Sequence, residues 1–445
     1  MRAAENPKIN EVAKKHHRPL KNLAPTEVTT IHSPRVMNRW LSLLLIVAWA
    51  LALRAPIAHI PLDRDEGEYA YIAQRSLQGD IPYKTSFDQK PPGTFLIYAL
   101  IERYVGTSAA AIHWGTQVYT LGTLALVFFL GEKLFSGGVG LLAALLLALM
   151  VADPTVTGNS SNTEIFMIFP LTGALYTTLL AEESASIAWG FVTGLLLALS
   201  CLFKQVALMN GAFILLYLTL KSSKRMALTL SVVAGAGILF LVPIAYFHSV
   251  GAWQEFYDCV IGFNLNYATS LPLASYPQEF WQTFFPQLKT FWPVCILVIL
   301  GIASGVRRRS SFRLLLGWLL FSFGGVMLGG YFRGHYFMQI LPAVALLASG
   351  QLVALIRQRW PRHLFSLSAA ALGLIIGFAV WTGSWYYGRT SPEEKSRRLY
   401  GKNPFAESVS VGHYLADHSG PEDHVFVFGS EPQILYDAGR PSASR

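Results

Sequence analysis

Residues 62–93, LDRDEGEYAYIAQRSLQGDIPYKTSFDQKPPG, form a polar, acidic passage punctuated by Gly and Pro. The apolar run from Trp40 to about Ile60 precedes it, and a mostly apolar chain follows. A loop this long inside an ordered chain is functional or disordered. Tyr69, Ile72, Ala73, Ser76 and Leu77 recur at helical spacing, so this one predicts an amphipathic helix. Asp65 suits its N-cap, with Glu68 closing a capping box and Gly79 at the C-terminal end. Asp65 has a second, chemical reading, which depends on the company it keeps.

That company is a membrane. The 445 residues are 53% hydrophobic and 14% charged, against about 25% charged in an ordinary soluble protein. The basic residues behind the net charge of +9 lie in short clusters between apolar runs, as the positive-inside rule requires, so they do not point to nucleic acid. Cys201, Cys259 and Cys295 are far apart and suggest neither a metal pair nor a disulfide framework. Residues 1–39 are polar and basic, lack a signal-peptide pattern, and are expected to be a disordered cytoplasmic tail.

Apolar runs begin near Trp40, Ala110, Gly138, Glu164, Ile187, Val206, Ala227, Phe291, Leu314, His335 and Leu364, about eleven spans by length and hydropathy. With the tail inside, the basic loops Lys221–Arg225, Arg307–Arg313 and Arg357–Arg362 all fall inside. The segments outside are then Leu62–Gly93, Asp153–Thr163, the turn at Lys204 and Gln205, His248 to about Lys289, and Gly330–Gly334. The stretch PPGTFLIYALIERYVG at 91–106 is short for a span and reads as an interfacial helix. The loop after His248 carries Trp253, Phe256, Tyr257, Phe263, Tyr267, Tyr276, Phe280 and Trp281, either an anchoring belt or a cover over a site. From about Gly388 the chain turns soluble in character. Phe405–His418 suits a helix and HVFVF at 424–428 a strand, giving a small α/β outer segment, minimal or truncated. The expected organisation is a tail (1–39), a transmembrane body (40–387) and an extracytoplasmic segment (388–445).

Ionisable groups at membrane depth are costly and mark function. On the outer face they are Asp65, Glu66, Glu68, Asp88, Lys90, Asp153, Glu164, Lys204, Arg333 and His335. Three of these have a structural alternative besides the cap at Asp65: Glu164 favours a helix N-terminus, Lys204 snorkels, Asp153 before Pro154 makes a turn. Carboxylates beside cations suit a reaction that needs a base and a phosphate clamp.

DEGEY at 65–69, DQKPPG at 88–93, SSNTE ending at Glu164, FKQ at 203–205 and RGHYFMQILP at 333–342 together resemble bacterial glycosyltransferase family 39. This is a group of GT-C membrane enzymes that includes protein O-mannosyltransferases and the aminoarabinose transferase. The resemblance implies an all-α, GT-C type polytopic enzyme. It would transfer a sugar from a polyprenyl-phosphate donor to a lipid, protein or glycan acceptor outside the cytoplasmic membrane, with inversion. It places Asp65 as catalytic base and Glu164 as the second catalytic carboxylate. Lys90, Lys204, Arg333 and His335 would bind the donor phosphate, with Glu66, Tyr69 and Asp88 in support. Some members carry a carboxylate directly before the lysine where Gln89 stands here, so an acidic role there is not carried over. No cofactor is required by the resemblance, although Asp65 and Glu164 could offer oxygens to a divalent cation. The rival classes are a secondary transporter, which fits the span number but not the gathering of charge at one face, and a lipid-binding scaffold.

Overall fold

A computed structural model describes residues 39–222, 224–305, 309–359 and 363–445, and the expected tail lies outside them apart from Arg39. Each of the eleven apolar runs is helical. The chain runs α1 (Arg39–Arg54), α2 (Arg64–Leu77), α3 (Gly93–Tyr104), α4 (Ala109–Leu134), α5 (Gly137–Met150), α6 (Thr163–Ser184), α7 (Ile187–Phe203), α8 (Leu208–Lys221) and α9 (Arg225–Ser249). It continues with α10 (Trp253–Tyr257), α11 (Phe263–Tyr267), α12 (Tyr276–Gly305), α13 (Ser310–Met327), α14 (Leu341–Arg359), α15 (Leu364–Thr382), α16 (Ser384–Tyr387), α17 (Pro392–Tyr400), α18 (Phe405–His418) and α19 (Gln433–Ala438). Among the described residues seven helices are long and apolar enough to cross a membrane, and α5, α7, α8 and α15 are shorter apolar helices. The protein is a multi-pass membrane protein.

The bundle is layered by burial. Helix α6 is buried nearly all round, whereas α9 exposes Leu230, Val233, Ile238, Leu241 and Val242, an apolar face suited to lipid. Helices α7 and α9 approach so closely that a Cβ at Gly194 would lie 2.0 Å from the Val232 carbonyl oxygen. Small residues at such a crossing let two backbones gain packing that lipid cannot supply. Helix α12 breaks at Phe291, where φ and ψ leave the helical region between Pro286 and Pro293. Its second half starts where the sequence places a span, and its first half belongs to the long loop that begins after His248.

The predicted helix in the loop after α1 is α2, but its cap is not Asp65. Asp63 accepts from the Glu66 backbone N–H at 3.0 Å, and Glu66 Oε2 accepts from the Asp63 N–H at 3.1 Å. The capping box is therefore Asp63–Glu66, two residues before the expected pair: Asp63 itself is extended, at φ −75° and ψ 179°, and the helix begins at Arg64. Gly79 follows the helix at φ +106°, as a C-terminal glycine should. Helix α3 is 12 residues long, about 18 Å. It buries Phe95, Tyr98 and Ile101 while Leu96, Leu100 and Tyr104 face outward, which suits an interfacial helix.

The C-terminal segment is helical. The expected strand at 424–428 is reduced to a single parallel bridge between Val425 and Ser442, because no neighbouring strand exists for it to pair with among the described residues. The segment packs directly on α2. Gly67 lies so close to α19 that a Cβ there would sit 2.5 Å from Gln433 Cβ. Tyr400 donates to Asp63 at 3.1 Å, Tyr436 to the Thr107 carbonyl at 2.6 Å, and Arg64 pairs with Glu431 at 3.0 Å.

Candidate functional site

Helices α6 and α7 run antiparallel, so the start of one and the end of the other share a level. That level carries Glu164 in the first turn of α6 and Lys204 at the C-cap of α7. The 3-10 turn Gly334–Ile340, which leads into α14, brings His335 and Tyr336 to the same place. Lys90, just before α3, and Asp65, in the first turn of α2, complete the ring.

Lys204 donates a short hydrogen bond to Glu164 Oε1, and Thr163 donates to Oε2 at 2.9 Å. The pair is nearly closed off from solvent: the Glu164 side chain is 1% exposed and that of Lys204 12%. The Lys204 ammonium also lies 3.5 Å from the Tyr336 ring centroid. The snorkelling alternative therefore does not describe Lys204, which turns inward onto a carboxylate and an aromatic face. His335 lies within electrostatic reach of Glu164, Lys204, Asp65 and Lys90, and its Nδ1 is 3.4 Å from Thr157 Oγ1. Thr157 and Phe332, on the two loops that seat this histidine, both hold positive φ, 51° and 44°. Backbone strain of this kind is costly and collects where a loop must hold a fixed shape.

Across the ring, Lys90 stands among three carboxylates. Asp88 accepts from the Lys90 backbone N–H at 2.8 Å, while its other oxygen is buried and has no hydrogen-bond partner among the described residues. The Lys90 ammonium lies 5.5 Å from the Tyr69 ring, and Asp88, Asp65 and Glu68 surround it electrostatically. Burial alone would depress the Lys90 ammonium, but these carboxylates reverse that and hold it above the ordinary lysine value. Burial pushes both Asp88 and Glu68 above the usual carboxylate range, and their mutual repulsion adds to the rise for Glu68.

Asp65 is different. It is half-buried, and among the described residues its carboxylate makes no hydrogen bond or ion pair with the protein. It faces Lys90, His335 and Tyr336 without being bound to any of them. Its neighbour Glu66 has the opposite character. Fully buried, it bonds His113 Nε2 at 3.0 Å, the Ser161 N–H at 2.6 Å and the Asp63 N–H. Glu66 thus rivets α2 to α4 and to the loop before α6. The adjacent carboxylates of DEGEY divide their work, one structural and one uncommitted.

Arg333 does not enter the ring. It is exposed at the rim, its guanidinium 6.0 Å from the Tyr331 ring. Tyr331 stacks on Tyr267 at 4.4 Å, and Tyr267 is hydrogen-bonded to Tyr336, so a tyrosine ladder links Arg333 to Lys204. Asp153 caps a turn by accepting from the N–H and hydroxyl of Thr155, the turn role expected of it. Sequence reading missed Tyr336, His113 and the ladder. A tyrosine or histidine next to a motif looks like ordinary interfacial composition until the fold shows what it touches.

The loop after His248 folds into α10, a π-helical turn and α11, and Asn264 donates to the Gln89 carbonyl at 2.7 Å. It therefore lies against the loop that carries Lys90. Glu164 has no oxygen free for the divalent cation that it and Asp65 could have shared. Both Glu164 oxygens are taken by Lys204 and Thr163, and no group of three or more His, Cys, Asp or Glu residues able to hold a metal ion is present among the described residues.

The fold is that of the GT-C membrane glycosyltransferases. ArnT from Cupriavidus metallidurans, solved bound to undecaprenyl phosphate, superposes with a TM-score of 0.62 at 17% identity over 91% of this chain and 85% of that one. The oligosaccharyltransferase AglB from Archaeoglobus fulgidus, in complex with an inhibitory peptide and a dolichol-phosphate, gives 0.54 at 12% identity over 91% of this chain and 64% of its own. Residues 89–248 match the family model of dolichyl-phosphate-mannose-protein mannosyltransferases. That match contains Lys90, Glu164 and Lys204, with Asp65 and His335 outside it. No curated protein sequence matches the chain.

Proposed function

We propose that this protein transfers a sugar from a polyprenyl-phosphate donor to an acceptor hydroxyl on the outer face of the cytoplasmic membrane, inverting the anomeric carbon. The observation that carries the reading is the Asp65 carboxylate, which makes no hydrogen bond or ion pair with the protein among the described residues and faces Lys90 and His335 beside the Glu164–Lys204 pair. Fold likeness to proteins solved with undecaprenyl phosphate and dolichol-phosphate supports the donor class. Residues 40–387 would form the catalytic body, residues 388–445 an extracytoplasmic cover, and residues 1–39 a cytoplasmic tail.

The reaction forms a bond from the acceptor oxygen to the anomeric carbon and breaks the bond from that carbon to the phosphate oxygen. The electron pair leaves on the phosphate, and the acceptor proton passes to Asp65. General-base help of this kind contributes about 10²- to 10⁴-fold. Charge growing on the leaving phosphate is met by Lys90 and Lys204, already in place and shielded from water, with His335 beside them. Glu164 acts through Lys204 by fixing its ammonium, and Asp88 does the same for the Lys90 backbone. Arg333, on the rim, suits first capture of the anionic donor.

The test compares wild type and Asp65→Asn, each given labelled polyprenyl-phosphate sugars and envelope extract, following release of polyprenyl phosphate and movement of label. Wild type should transfer, and the variant should bind donor while turnover falls at least 100-fold. Equal transfer by both removes Asp65 from the chemistry. Transport of the donor without release of polyprenyl phosphate would sink the transferase reading.

A further inference from the structure

Beside the ring, a cleft of about 260 Å³ opens between α2 and the C-terminal segment. Arg64, Glu68 and Tyr71 of α2 form one wall, Ser86 and Phe87 the floor, and residues around Ser430 and Glu431 the other wall. On a helix, Arg64, Glu68, Tyr71 and Ile72 share one face next to Asp65, at 100° per residue. Glu68 belongs to both places. It lines the cleft, and its carboxylate lies within electrostatic reach of Asp65, Asp88 and Lys90. Among the described residues it makes no hydrogen bond or ion pair with the protein. A half-buried carboxylate left without a protein partner is costly unless something else completes it.

The lining separates this cleft from a lipid groove. Charged and hydroxyl groups, Arg64, Glu68, Ser430 and Glu431 among them, share its walls with Tyr71 and the apolar Ile72 and Leu435, and Arg64 is held in place by Glu431 at 3.0 Å. The one large aromatic on its floor, Phe87, is 39% exposed and is fixed edge-to-face by Phe263 at 5.2 Å. Both walls come from segments outside the apolar helices. An exposed ring face beside a carboxylate, a paired guanidinium and serines matches a sugar ring, which offers an apolar C–H face and a rim of hydroxyls.

Resting on the transferase reading, we infer that this cleft is the acceptor subsite, that it takes a hydroxyl-rich carbohydrate from the aqueous side, and that Glu68 positions it for Asp65. The donor then approaches from the membrane and the acceptor from water, meeting at the first turn of α2.

The test uses the full chain in detergent and a panel of soluble gluco-, manno- and chito-oligosaccharides, with binding read by saturation-transfer NMR and transfer measured in the same samples. Two variants are made, Glu68→Gln and Ser430→Trp, the second at an exposed position where a bulky ring fills the cleft without disturbing the core. At least one oligosaccharide should bind wild type and weaken tenfold or more in both variants, and Ser430→Trp should raise the acceptor KM while kcat at saturation changes less than threefold. No oligosaccharide binding, or binding indifferent to Ser430→Trp, overturns the inference. So does transfer stimulated only by serine-containing peptides or by lipid acceptors. Binding is read without turnover, so sugar binding with no transfer from any donor counts against the transferase reading and leaves the cleft assigned.

Discussion

Lys204 and Glu164 show how much rests on single side chains here. A buried pair can be neutral overall, yet removing one partner strands the other charge, at about 3–5 kcal/mol. Lys204→Met should therefore destabilise the protein strongly, and the double change Lys204→Met with Glu164→Gln should recover most of that loss. Thermal unfolding in detergent checks both, and a double variant no better than the single would mean the pair is not a unit. Asp63 makes a second test through pH. Burial, reinforced by Glu66 and Asp65, raises its carboxyl from the usual 3.8 to about 7. Across that window the folded protein keeps a proton that the unfolded chain has lost, so this group's contribution to stability falls as pH rises towards 7. Asp63→Asn preserves a good N-cap and should lessen that fall, measured as the difference in unfolding midpoint between pH 4.5 and 7.5.

At the scale of elements, the junction of α2 with α19 decides whether the loop after α1 is covered. Alanine suits a helix better than glycine, so Gly67→Ala would ordinarily stabilise α2. Here the added Cβ meets Gln433 at 2.5 Å. The variant should keep its helix content while the C-terminal segment loosens, read as faster limited proteolysis after residue 388 with α4 to α9 still protected. Unchanged proteolysis would show that the contact yields without cost. This junction was not legible in the sequence. The repeat of Tyr69, Ile72 and Ala73 predicts a helix with an apolar face, but nothing local says that a segment more than 350 residues later covers its other side. The cap was misplaced for a related reason: DRDEGE offers two acidic pairs at capping spacing, and only the chain's entry angle selects Asp63 with Glu66.

For the whole molecule, sidedness is the property that charge patterning predicts best. In a background with the three cysteines replaced, Thr269→Cys in the outer loop should react with a membrane-impermeant maleimide on intact cells. Ser310→Cys, at the start of α13 beside the basic loop, should react only after permeabilisation. Reversal of the two would invert every loop and remove the candidate site from the outer face.

By itself the sequence determined the helical membrane class, because twenty-residue apolar runs separated by basic loops have few other stable solutions. It also determined most of the polar ring. Lys90, Lys204, Glu164 and His335 stand out, since charge beside an apolar run is too costly to be incidental. Tertiary structure alone decided how those residues are used. Asp65 and Glu66 are adjacent in sequence and equal in chemistry. Only the packing of α2 against α4 and the loop before α6 buries Glu66 among three donors and leaves the Asp65 carboxylate without a partner among the described residues. A residue's charge is local, but its partners are supplied by segments far along the chain, and those partners fix its role.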